Sequence, residues 1–107
     1  MLTVKKVYVA ARFHLKERVR SLYEKLKRKG YEISFDWTLH KWIIPYEKNV
    51  ELARQYSEEN IEGVANSDIF ILLTDEERGG TGMYVELGVA ILSYKLFGKP
   101  KIYVVGE

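Results

Sequence analysis

From position 79 the chain reads Gly-Gly-Thr-Gly-Met-Tyr-Val-Glu-Leu-Gly-Val-Ala, and its acid, Glu86, has the surroundings best suited to chemistry. Three glycines in four positions argue against helix interior, where each costs about 1 kcal/mol relative to alanine. From Met83 to Phe97 the pattern turns helical and almost wholly apolar. A Gly-rich loop thus feeds a buried helix, with Glu86 expected in its first turn. Unpaired N–H groups and a positive dipole end make a helix N-terminus an anion site. Gly79, Gly80, Thr81, Gly82 and Met83 are therefore a candidate cradle for a phosphate or a polar sugar. Near that positive end Glu86 is expected to stay ionised, as a nucleophile requires. The plainer role for Glu86 is a helix cap, but a capping box needs Ser or Thr where Met83 stands.

Two common phosphate motifs are absent. No Gly-Lys-Ser/Thr triplet completes a Walker loop, and Val85 stands where a dinucleotide fingerprint needs its third glycine. With no cysteine, the chain has no thiolate nucleophile or disulfide, and His14 and His40 form no metal motif. Neither a metal nor a cofactor is expected. A formal net charge of +2 is too slight to suggest nucleic-acid binding. No apolar run is long enough for a membrane span and the first residues lack a signal peptide's form, so a cytoplasmic protein without membrane contact is expected. At 107 residues the whole chain is read as one domain.

The elements that must position Glu86 alternate along the chain. Val4 to Ala11 reads as a buried strand, and Leu15 to Lys29 as an amphipathic helix stopped by Gly30. Tyr31 to Phe35 is a second strand. Thr38 to Tyr46 is aromatic without periodicity, which suggests a loop or short lid. Trp37 and Trp42 are suited either to stacking on a base or to filling a core edge or a subunit contact. Asn49 to Asn66 is the next helix, with Val50, Ala53, Ile61, Val64 and Ala65 expected inward. Asp68 to Leu73 is the third strand, and Lys101 to Val105 the fourth. Continuous apolar strands between helices predict an α/β fold with a three-layer parallel sheet, flavodoxin-like or Rossmann-like, in order 2-1-3-4. Ligands bind such sheets at the carboxyl ends of the strands where the order reverses, here between the first and third. Tyr8 to Arg12 and Thr74 to Glu86 would converge there.

The helix from Met83 to Phe97 carries two apolar stripes. Leu87, Ala90, Ile91 and Tyr94 form one; Val85, Val89, Leu92 and Leu96 form the other. One sheet face cannot cover both, which predicts a homodimer through helix 83–97.

Together these segments resemble the nucleoside 2-deoxyribosyltransferase-like family, which includes 2′-deoxynucleoside 5′-monophosphate N-hydrolases. The resemblance rests on Val7-Tyr8-Val9-Ala10-Ala11-Arg12-Phe13, on Ala65-Asn66-Ser67-Asp68, and most specifically on Gly82-Met83-Tyr84-Val85-Glu86-Leu87-Gly88-Val89-Ala90. It implies that Glu86 is the nucleophile attacking the anomeric carbon of a nucleoside or nucleotide, and that Tyr8 contacts its carboxylate. Ala11, Arg12 and Trp37 would line the substrate site, with Arg12 offering a charge-assisted contact to phosphate. Asn60 occupies the place where relatives carry a catalytic Asp, so Glu59 or Glu62 would have to supply the proton, or activity falls. Gly80 likewise replaces the usual Ser or Asp, and the chain ends at Glu107, where relatives often continue. The loop is also similar to the GGxGTxxE loop of cytokinin-activating phosphoribohydrolases, with Met83 in place of Thr. The expected activity is cleavage or transfer at an N-glycosidic bond through an oxocarbenium-like state. The alternative is a non-catalytic nucleotide-binding or sensing module of the same fold. A receiver-like signalling domain fits less well, since Ala10-Ala11 stands where paired acids would be needed.

Overall fold

The computed structural model describes residues 4–41, 46–75 and 82–106. Four parallel strands, β1 (Lys6–Ala10), β2 (Glu32–Ile33), β3 (Ile69–Leu73) and β4 (Lys101–Val105), form one sheet in the order β2-β1-β3-β4. Three helices connect them: α1 (Lys16–Arg28), α2 (Val50–Ala65) and α3 (Gly82–Phe97). This is the α/β arrangement that the alternation of elements predicts.

Side chains along a strand alternate between faces, and the register assigns them. Val7, Val9 and Ile71 share one face; Tyr8, Ala10, Phe70 and Leu72 share the other. α1 lies over the first face, where Leu22 and Lys25 border a cavity with Ile71 and Leu73. α2 and α3 cover the second and pack on each other. Tyr8 and Phe70 stack there with ring centroids 6.0 Å apart and planes 2° from parallel.

The strands are buried as their apolar runs imply, but the helices differ in detail. On α2 the buried residues are Gly63 and Val64, whereas Val50, Ile61 and Ala65 are exposed. The reason is close approach. A Cβ on Gly63 would stand 2.6 Å from Phe35 Cβ and 3.1 Å from the Tyr8 ring. Only glycine lets α2 sit this close to Phe35 and Tyr8, and with Gly63 inward, Ile61 and Ala65, each about 200° round the helix from it, face away. Gly63→Ala is expected to lower stability by about 1–3 kcal/mol through overpacking, read as a lowered midpoint in urea.

α3 also departs from its expected pattern. Its buried residues are Met83, Ala90 and Ser93, while Ile91 and Tyr94, assigned to the inner stripe, are 43% and 54% exposed. Ser93 tolerates burial because its hydroxyl donates to the carbonyl of Lys99 at 2.8 Å. Gly82 is helical rather than part of a loop, which moves Glu86 out of the first turn and into the second.

Candidate functional site

Ala10 ends β1 and Leu73 ends β3, and the chain segments leaving these two strands meet above the sheet, as the topology requires. A cavity of about 210 Å³ opens there, lined by Ala11, Arg12, Phe13, Trp37, Asn60, Gly82, Met83 and Glu86. A second, of about 160 Å³, is lined by Ser57, Asn60, Ile61, Gly82, Val85 and Glu86. Glu86, Asn60 and Gly82 border both cavities. The carboxylate therefore stands at their junction.

Tyr8 points from the middle of β1 toward α3, and its hydroxyl donates to Glu86 Oε1 at 2.5 Å. Strand alternation places Tyr8 on the α3 face, and the tight α2 contact at Gly63 holds its ring. Tyr84, by contrast, is 49% exposed. Burial pushes the Glu86 carboxyl up to about 7, although the Tyr8 bond pulls it the other way. The expectation of an easily ionised carboxylate at a dipole's end is thus corrected. Glu86 lies a turn further along the helix, and lost hydration outweighs what the dipole offers. The same burial, with Glu86 opposite, pushes the Tyr8 hydroxyl well above the ordinary phenol range. Tyr8 therefore acts as a donor and not as a phenolate.

Trp37 closes a core edge at the cavity. Its indole is 5% exposed and donates from Nε1 to the Val9 carbonyl at 2.6 Å, yet it forms part of the cavity wall. A short turn, Trp37–Leu39, presents it. That turn is fixed by Asp36 Oδ1, which accepts from the Thr38 amide, and by Arg20, which donates to the Thr38 carbonyl and hydroxyl. Phe13 stands beside the indole at 6.3 Å. Arg12 lines the cavity with its Nε bonded to Asp75 at 2.9 Å, and His14 Nε2 lies 2.8 Å from the same carboxylate. Asp75 and His14 were not marked by any motif. The only signal is that Asp75 follows the third strand's carboxyl end, where site residues gather.

Glu59 and Glu62 do not reach this site. Both border a different cavity with Ser34 and Phe35. Glu59 lies 3.6 Å from His40 Nε2, too far for a hydrogen bond but close enough for an ion pair. His40 in turn stacks on Tyr56 at 3.7 Å, and burial lowers its pKa despite Glu59. Neighbouring positions on a helix point about 100° apart, so Glu59 cannot replace Asn60 in the cavity. That expected substitution is overturned. Asn60 does line both cavities, and its Oδ1 is buried with no hydrogen-bond partner among the described residues. Gly79, Gly80, Thr81 and Trp42 lie outside the described residues.

Among the described residues no group of His, Cys, Asp and Glu is arranged to hold a metal ion. Nor is any described helix long and apolar enough to cross a membrane.

No family model and no curated protein sequence matches the chain. Among solved structures it is similar to the CMP N-glycosidase BcmB of Clostridium botulinum, with a TM-score of 0.64 and 21% identity. The match covers 95% of this chain and 71% of that one. The fold is shared with an N-glycosidase.

Proposed function

We propose that the chain cleaves the N-glycosidic bond of a nucleoside 5′-monophosphate, with Glu86 as nucleophile. The observation that carries this reading is the buried Tyr8–Glu86 pair at the junction of two cavities. The fold shared with an enzyme acting on CMP supports it. In this mechanism the ionised Glu86 carboxylate attacks the anomeric carbon as the base departs. Charge on the oxocarbenium-like state is neutralised at close range, in a site where burial strengthens the attraction. Tyr8 fixes one carboxylate oxygen and leaves the other for bonding. Water then attacks the anomeric carbon and displaces the Glu86 carboxylate, giving a hydrolase; a second base as acceptor would give transfer. The first turn of α3, at Gly82 and Met83, and the Arg12 guanidinium supply the contacts for a 5′-phosphate. Trp37 and Phe13 wall the base.

Purified protein incubated with nucleosides and their 5′-monophosphates should release free base, followed by chromatography. Release should vanish in Glu86→Ala. An added acceptor base separates transfer from hydrolysis. A specific observation favours a second reading: the amide of Asn60 cannot protonate a leaving base, as the acid at this place would. Saturable monophosphate binding with no base release from any substrate would establish a nucleotide sensor instead.

We also infer a homodimer through helix 83–97. Val85, Leu92, Leu96 and Phe97 on α3 are 58–76% exposed, a larger apolar stripe than an isolated domain normally leaves in water. A helix stripe is self-complementary about a two-fold axis, the commonest symmetry of oligomers. Val85 also borders the second cavity, so a partner there would lie next to the site. Sedimentation should give a dimer, and the double variant Leu92→Glu, Leu96→Glu a monomer. A wild-type monomer at micromolar concentration overturns this.

A further inference from the structure

An N-glycosidase must deal with its leaving group as well as its anomeric carbon. A neutral nucleobase departs poorly unless an acid protonates it, a contribution of about 10²–10⁴ in rate. Among the described residues lining the two cavities at Glu86, the ionisable side chains are Arg12 and Glu86 itself. Arg12 does not give up its proton, and Glu86 is committed to the anomeric carbon. The other polar side chains there are Ser57, whose hydroxyl is too weak an acid to protonate a base, and Asn60, whose buried Oδ1 is unpartnered among the described residues. Glu59, Glu62 and His40 form their own cluster away from this wall.

The rest of the wall suits a particular kind of ring. Trp37 and Phe13 line the cavity, and aromatic rings attract cations, indole most strongly; the Phe13 ring already holds the Lys16 ammonium at 5.0 Å. The charge of Arg12 is met by Asp75 at 2.9 Å, and Glu86 is the one acidic side chain among the described residues lining the two cavities.

We propose that the substrate's leaving group is already cationic: an N-glycoside of a positively charged aromatic heterocycle, a pyridinium or an N-alkylated purine, carried on a 5′-phosphorylated pentose. This rests on the glycosidase reading above and narrows it. The bond from Glu86 Oε to the anomeric carbon forms as the carbon–nitrogen bond breaks. The electron pair goes to the ring nitrogen and cancels its positive charge, so the base leaves neutral with no proton supplied. Water then attacks the anomeric carbon, the carboxylate departs, and one proton passes to solvent for each bond cleaved. A neutral base would take up that proton, so its hydrolysis releases none. The unpaired Asn60 Oδ1 accepts a hydrogen bond from an amino or carboxamide group on the ring.

The test compares matched substrates. 7-Methylguanosine 5′-monophosphate and guanosine 5′-monophosphate differ by one methyl group and its charge; nicotinamide mononucleotide and CMP compare smaller rings. Base release is measured for wild type and Asn60→Asp, with Glu86→Gln as the blank, and proton yield is read in weak buffer. The cationic substrates should be cleaved about 100-fold faster or more, with one proton per base. In Asn60→Asp the new acid should bring that ratio below about tenfold by raising the neutral rate. Neutral substrates cleaved within tenfold of cationic ones by wild type, or a ratio unmoved in a folded Asn60→Asp, overturn the inference while the glycosidase reading stands. No release from any substrate overturns both. If Asn60→Asp does not fold, the wild-type ratio decides alone, and a ratio no greater than that of the uncatalysed hydrolyses overturns the inference.

Discussion

Glu86→Gln should abolish base release, by about a thousandfold or more, and at pH 8 should make the folded protein more stable. The two effects have one cause. Glutamine keeps the shape of the carboxyl and can still accept the Tyr8 hydrogen bond, but it carries no charge to bury and no nucleophilic oxygen. In the wild type the Glu86 carboxyl titrates near 4.5 when unfolded and near 7 when folded. Below 4.5 it is protonated in both states, and burial costs nothing electrostatically. Between 4.5 and 7 the folded state holds a proton that the unfolded chain has released, so stability falls as pH rises. Above 7 the full penalty remains, about 3 kcal/mol at roughly 1.4 kcal/mol per pKa unit. Thermal or urea unfolding at pH 4.5 and pH 8 should show the variant's advantage only at the higher pH. An advantage equal at both values would mean that the carboxylate is not buried against its own charge.

Tyr8→Phe should reduce kcat/KM at pH 7 and move the rising limb of the pH–rate profile toward higher pH. On the proposed reading the nucleophile must be ionised, so activity in the wild type should climb as pH passes through about 7. The Tyr8 hydrogen bond lowers the Glu86 pKa against the effect of burial. Without it, a larger share of the enzyme holds an inert protonated acid at neutral pH, and the surviving carboxylate has lost the group that aims it. The combined loss at pH 7 is expected to be about tenfold to a hundredfold. Phenylalanine preserves the stacking on Phe70, so the ring's place in the core is kept. A lower rate with an unmoved limb would reduce Tyr8 to a packing residue, since lost packing alone does not shift a titration.

A buried carboxylate held by a buried phenol costs stability, and nothing in the packing of the sheet calls for it. An apolar pair would fill the space between β1 and α3 at less cost. That Glu86 instead faces both cavities is the physical basis for reading it as functional.

The four strands, their order and the place of the site were legible in the sequence, because apolar runs alternating with helical patterns leave few topologies open. The contact between Tyr8 and Glu86 was legible as well, from the resemblance that the Gly-rich context supports. Charge state was not. Whether a carboxylate on α3 is ionised depends on how deeply the helix packs and on which strand residue meets it 78 positions away. Nor could spacing along α2 show that the helix meets Tyr8 at Gly63, that Asn60 lines the cavities, or that Glu59 lies beside His40. The partnership of Arg12 with Asp75 joins the ends of two strands that only the folded sheet brings together. Local pattern determined which elements form and in what order they lie. Long-range contact decided which polar groups lose water, and that fixes what each can do chemically.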